Sequence, residues 1–115
     1  QIDSAWQDEI EYTDNGAVCL SALLVKECTD YTIIRRARIG TGIDYWLGKE
    51  NDILFQDSAR LEISGIFEES KTNTVQKRFN KKKRQVQSSD STSLPVYISI
   101  IEFSSPKAFF AKKTD

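Results

Sequence analysis

The sequence contains no histidine, only two cysteines and two prolines, and no long apolar run. The lack of histidine excludes histidine-based catalytic triads, histidine general bases and histidine metal ligands. A membrane-spanning helix needs roughly 20 consecutive apolar residues, and no stretch approaches that length. No signal peptide is visible either. We therefore expect one soluble domain over residues 1–115, with no membrane association.

The two cysteines lie in one predicted helix. Cys19 and Cys28 are nine residues apart, which places them on opposite faces and about 13 Å apart along the helix axis. That separation is too long for a disulfide bond. We expect both to be buried reduced thiols, which favours a cytoplasmic location.

The charges are unevenly distributed, although the formal net charge is only −1. The first fourteen residues carry acidic side chains and no basic ones: Asp3, Asp8, Glu9, Glu11 and Asp14. Residues 71–84 carry basic side chains and no acidic ones: Lys71, Lys77, Arg78, Lys81, Lys82, Lys83 and Arg84. The sequence therefore predicts a local basic surface on a molecule that is nearly neutral overall.

The hydrophobic pattern predicts an α/β fold. A helix capped by Thr13 or Asp14 runs to about Cys28. β-Branched and aromatic residues then predict strands at 31–38, 41–47 and 59–67, followed by a basic helix at 72–87 capped by Thr72 or Asn73, an apolar interior strand at 96–103 and a short strand or helix at 108–111. We expect a mixed sheet of four or five strands, flanked by the two helices. An antiparallel three-strand meander would adjoin a parallel crossover strand.

Two acidic residues interrupt the second and third predicted strands. If these strands form a hairpin, Asp44 and Glu62 lie on neighbouring strands, close enough to share one cation. Carboxylates within apolar strands are costly to bury unless they are paired, hydrogen-bonded or bound to metal. The alternative is an ion pair across the sheet with one of four arginines: Arg35, Arg36, Arg38 or Arg60.

The order of helix, three-strand meander, helix and strand, together with Asp44 and Glu62, resembles the PD-(D/E)xK nuclease superfamily, which has the restriction-endonuclease-like fold. The resemblance implies that these two acids bind Mg²⁺. A lysine two residues beyond the second acid would then assist the attacking water. This chain has Ser64 at that position, and a hydroxyl cannot supply the lysine's positive charge. Lys77 or Lys81 on the basic helix is the candidate replacement.

The basic helix has two interpretations. Its six cations could contact nucleic-acid phosphates: Lys77, Arg78, Lys81, Lys82, Lys83 and Arg84. They could instead form an ordinary solvated face. Tyr45 and Trp46 could stack on a base, and strand alternation puts Trp46 on the same face as Asp44.

Two functions are consistent with these patterns. The first is a small nuclease-like protein of bacterial type that acts on or around nucleic acid with Mg²⁺, either active or catalytically degenerate. The second is a non-enzymatic interaction module on the same scaffold, such as an accessory subunit or an antitoxin- or immunity-type partner. A protein partner or a homo-oligomer is compatible with both.

Overall fold

The structure, a computed structural model, describes residues 2–37, 43–49, 58–89 and 94–113, and within the helices it describes the side chains of 7–28 and 75–86. In these ranges the elements are α1 (Ile2–Cys28), β1 (Tyr31–Ala37), β2 (Ile43–Lys49), β3 (Ala59–Ile66), α2 (Val75–Ser89), β4 (Val96–Glu102) and β5 (Lys107–Lys112). None of the described helices has the length and apolar character needed to cross a membrane.

The described strands form one five-stranded sheet in the order β1-β2-β3-β4-β5. β1, β2 and β3 are antiparallel neighbours, β3 and β4 are parallel, and β5 returns antiparallel to β4. A parallel pair needs a crossover connection, and α2 lies within it. The predicted α/β class and mixed sheet with two helices are confirmed.

The two helices cover opposite faces of the sheet, because β4 carries apolar side chains on both sides and β3 carries most of its apolar side chains on the side of α1. Leu61 and Ile63 of β3 pack in a cluster with Ala17 and Val25 of α1. On the other face, Ile98 and Ile100 pack with α2 residues, and the Phe79 ring of α2 lies 4.6 Å from that of Phe109 on β5. Strands covered on both faces are apolar almost throughout, as the sequence of β4 predicts.

Helix α1 begins at Ile2, so the predicted start at Thr13 or Asp14 is wrong. Inside the helix, the Thr13 hydroxyl donates to the Glu9 carbonyl at 2.7 Å. Asp14, Asn15 and Gly16 resemble a helix start in sequence, but tertiary packing overrides their weak propensity. A Cβ atom at Gly16 would lie 3.0 Å from the Phe103 ring, so this position lies close against the body of the protein.

The buried stripe of α1 is narrower than the sequence predicts. It consists of residues spaced four apart: Thr13, Ala17, Ser21 and Val25. Leu20 and Leu23 are exposed at 41% and 59%. Cys19 and Cys28 are free thiols, but both are exposed, so the prediction that they are buried is wrong.

Helix α2 is capped by Thr74, and the predicted caps Thr72 and Asn73 are wrong. The Lys77 N–H donates to the Thr74 hydroxyl at 3.1 Å, and the Arg78 N–H donates to the Thr74 carbonyl at 2.9 Å. These are the bonds expected of an N-cap threonine. The Val75 N–H donates to the Glu69 carboxylate at 2.8 Å.

Candidate functional site

The two predicted acids meet on the sheet face that carries α2. Asp44 on β2 lies directly opposite Glu62 on β3 in the antiparallel register. Their exposed fractions are 1% and 6%. Alternation explains the shared face, since side chains directly opposite one another on an antiparallel pair point to the same side. The structure therefore brings the two carboxyl groups together, away from solvent.

Their proximity changes the chemistry of Glu62. Burial raises the pKa of the Glu62 carboxyl to about 8, with further contributions from its hydrogen bond to Asp44 and from repulsion by the Asp44 charge. The positive charges of Lys82 and Arg60 oppose this rise in pKa. This raised pKa favours the protonated form of Glu62 near neutral pH.

Arg60 completes a buried group of three charged residues. Its Nη2 atom lies 3.4 Å from Glu62 Oε1, and the Arg60 side chain is 2% exposed. The raised pKa of Glu62 reduces the number of charges that are buried here, and the remaining charges can be compensated within the group.

Arg60 is one of the four arginines of the predicted ion-pair alternative, but it pairs with Glu62 along β3 and not across the sheet. The Arg35 guanidinium lies 5.8 Å from the centre of the Trp46 ring. Arg36 is opposite Tyr45 on β2 and lines a cavity beside α1, on the other face of the sheet. Arg38 lies outside the described residues. The site thus has elements of both predicted arrangements, an acid pair and an ion pair.

Two buried atoms in this group lack a hydrogen-bond partner among the described residues: Asp44 Oδ1 and Arg60 Nε. An unsatisfied buried polar atom is costly and therefore informative. Asp44 Oδ1 is an acceptor of the kind that binds a hard cation.

The Mg²⁺ prediction depends on what else surrounds the pair. In the described part of the chain, no group of three or more acidic, cysteine or histidine side chains could hold a metal ion. Glu102 is buried at the end of β4 and accepts hydrogen bonds from Ser104 and Ser105. Glu11 lines the cavity beside α1, on the opposite face of the sheet. Asp44 and Glu62 could supply two oxygen ligands, and a bound cation would displace the proton that the raised pKa of Glu62 favours.

A cation does reach the Ser64 position, but it is neither of those predicted. The Arg78 guanidinium of α2 donates a short hydrogen bond to the Ser64 hydroxyl, and its other nitrogen donates to Asn73 Oδ1 at 2.9 Å. Lys77 and Lys81 are exposed, and Lys77 Nζ donates to the Lys71 carbonyl at 2.7 Å. The structure thus brings Arg78, not Lys77 or Lys81, to Ser64.

The residue spacing within α2 could have predicted which of its cations point toward the sheet. Val75, Phe79 and Val86 mark the apolar stripe that packs on the sheet. Arg78 and Lys82 are one turn apart and each lies three residues beyond an apolar member of that stripe, so they border the buried face. Their partial burial and their interactions with Ser64 and Glu62 agree with this position.

The outer side of α2 forms a second feature, which we call the basic cavity. Its volume is about 480 Å³. Its lining includes four cations and two amides: Lys77, Arg78, Lys81, Arg84, Asn73 and Asn80. None of the described residues that line it is acidic. Lys82 and Lys83, the other two cations predicted to contact phosphates, are half-buried and do not line the cavity.

Comparison with known proteins gives no family for this chain: no protein-family model, curated protein or solved structure matches it.

Proposed function

We propose that this chain is a nucleic-acid-binding protein on a nuclease-like scaffold, and that α2 contacts the phosphate backbone. The observation that supports this most strongly is the basic cavity, where Lys77, Arg78, Lys81 and Arg84 converge with no acidic neighbour in its lining. Clustered lysine and arginine side chains bind nucleic acid by neutralising phosphates and releasing counterions.

Two of the four cations are held in place by the protein itself. Arg78 is fixed between Ser64 and Asn73, and Lys77 is fixed by the Lys71 carbonyl. Side chains that are ordered before binding lose less conformational entropy when a ligand arrives. The first N–H groups of α2 already bond to Glu69 and Thr74, so the side chains, not the helix terminus, provide the anion site.

Binding of a fluorescently labelled oligonucleotide at low salt tests this proposal. The double variant Lys77→Glu/Lys81→Glu should weaken binding by at least about tenfold, because two phosphate contacts become repulsive. The matched control is Lys26→Glu/Lys112→Glu, which makes the same charge change at two exposed positions outside the basic cavity. Equal losses in the two variants would contradict the proposal, and no binding by the parent protein would favour the interaction-module alternative.

A second candidate function is Mg²⁺-dependent cleavage, which the unpartnered Asp44 Oδ1 opposite Glu62 favours. A divalent ion held by these two carboxylates would polarise a bound water and lower its pKa. Arg78 and Lys82 would supply positive charge on the Ser64 side of the pair, where the resemblance implies a lysine.

Cleavage assays and metal binding test this second function independently. An active enzyme should cut nucleic acid with Mg²⁺ or Mn²⁺, lose activity in Asp44→Asn and lose much of it in Arg78→Gln. Mg²⁺ should also raise the unfolding temperature of the parent protein and not of Asp44→Asn. No cleavage and no metal-dependent stabilisation would leave α2 binding as the function of this face.

A further inference from the structure

A second cavity lies where β3 ends and the chain turns toward α2. Its volume is about 320 Å³, within the usual range of about 300 to 1,000 Å³ for small-molecule sites. We call it the strand-end cavity. Six lining residues define its chemistry: the apolar Ile10 and Phe67, the acidic Glu9, Asp14 and Glu68, and Asn73.

The apolar residues of this cavity are unusually exposed. Phe67 is 52% exposed and Ile10 is 43% exposed. The Phe67 backbone is held, because its carbonyl accepts the Ser104 N–H at 2.9 Å. An exposed aromatic ring beside a basic surface is a typical platform for stacking a nucleobase.

Asn73 links this cavity to the basic cavity, since it lines both. Its N–H donates to the Ser70 hydroxyl at 3.1 Å, and its side chain accepts from Arg78. Asn73, which links the two cavities, is therefore held by its backbone and by its side chain. A phosphate on α2 and an attached base at the end of β3 would lie in adjoining cavities.

The acidic residues favour particular bases. Carboxylate oxygens accept hydrogen bonds from an exocyclic amino group, such as N4 of cytosine. They repel the carbonyl oxygen that thymine or uracil presents at the same position. Glu9 and Glu68 are both exposed, so their oxygens can reach a base that enters the cavity.

We propose that the strand-end cavity binds a nucleobase carrying an exocyclic amino group, stacked on Phe67, in a strand whose phosphates lie in the basic cavity. This inference depends on the phosphate-binding function proposed above and specifies its substrate: single-stranded nucleic acid with amino-bearing bases.

Oligo(dC) and oligo(dT) of equal length test the proposal, because these pyrimidines have the same ring size and differ at position 4, where cytosine has an amino group and thymine a carbonyl. Oligo(dU), which lacks the thymine methyl group, is the control for that methyl. The parent protein should bind oligo(dC) about fivefold or more tightly than oligo(dT). The exposed double variant Glu9→Ala/Glu68→Ala should bring the ratio of the two affinities toward one. Equal affinities in the parent protein would overturn the base preference.

Phe67→Ala provides the second measurement. It should weaken oligo(dC) binding by about fivefold or more without changing how affinity depends on salt, because no phosphate contact is lost. The control is Leu23→Ala, at a position exposed to a similar degree outside this cavity, and it should bind like the parent. If Phe67→Ala also binds like the parent while Lys77→Glu/Lys81→Glu weakens binding, only the base site is overturned. Absence of binding by the parent would overturn the base site and the phosphate site together.

Discussion

At the scale of single residues, Asp44 and Glu62 are buried opposite one another, and the raised pKa of Glu62 and the nearby Arg60 limit the uncompensated charge that is buried there. A buried carboxylate without such compensation would be strongly destabilising. The charge state of this group follows from burial and proximity, and it makes folding depend on pH.

The raised pKa of Glu62 predicts that the protein is more stable near pH 6 than near pH 8. The ordinary glutamate pKa is 4.5, and in the folded protein it is about 8. Between these values the folded state binds a proton that the unfolded state lacks, so stability falls as pH rises, by at most about 1.4 kcal/mol per pH unit. Denaturant unfolding at a series of pH values measures this slope.

Glu62→Gln should flatten the slope, because an amide is neutral at every pH in this range. The control Glu27→Gln changes an exposed glutamate on α1 and should keep the parent slope. An unchanged pH dependence in Glu62→Gln would show that another group is responsible.

The opposition of Asp44 and Glu62 could be predicted from the sequence, since strand alternation and the hairpin determine it. Their protonation could not, because it depends on how completely neighbouring elements exclude water. The choice of Arg60 over the other arginines also depends on register and on the face to which each arginine points. The exposure of Cys19 was missed because α1 buries a narrower stripe than its composition suggests.

At the scale of elements, α2 combines two roles on different sides of one helix. Its apolar stripe fixes it on β3, β4 and β5, and its outer side lines the basic cavity. The helix itself was predictable from its spacing and charge. Its N-cap was not predictable. Residue type does not distinguish the three candidates Thr72, Asn73 and Thr74, because the conformation of the turn before the helix determines which of them caps it.

Thr74→Ala should reduce the free energy of unfolding by about 1 kcal/mol, because the Lys77 N–H loses its acceptor. Thr72→Ala is the control, since its hydroxyl makes only a 3.4 Å contact with that of Ser70. Equilibrium denaturation of both variants measures the difference. A larger loss in Thr72→Ala would contradict the assignment of the cap.

The contact between α1 and β3 requires a residue without a side chain at Gly65. A Cβ atom there would lie 2.9 Å from the Thr13 carbonyl oxygen. This oxygen belongs to the backbone, so it cannot move away by a change of side-chain rotamer. Gly65→Ala should therefore destabilise the protein by about 1 to 3 kcal/mol. Gly16→Ala is the comparison, because its Cβ would meet only the end of the Phe103 ring and alanine favours a helix by about 1 kcal/mol. An unfolding temperature that is lower for Gly16→Ala than for Gly65→Ala would contradict this packing.

At the scale of the whole molecule, the net charge is only −1, but acidic and basic residues lie in different parts of the molecule. Helix α1, whose first half is acidic, packs on one face of the sheet through its second half, and basic α2 packs on the other. The uneven charges predicted a local basic surface, and the order of the elements predicted the mixed sheet. The sequence could not predict the basic cavity, which depends on how the turn before α2 positions Asn73 and Arg78.

The salt dependence of oligonucleotide binding tests the central claim, that α2 binds phosphates, most directly. The logarithm of the parent's association constant should fall linearly with the logarithm of salt concentration. With a single strand, Lys77→Gln/Lys81→Gln should reduce this slope by about 1.4, since each lost phosphate contact contributes about 0.7. Lys26→Gln/Lys112→Gln, which removes the same charge elsewhere, should keep the parent slope. Identical slopes for the two double variants would contradict phosphate binding by α2.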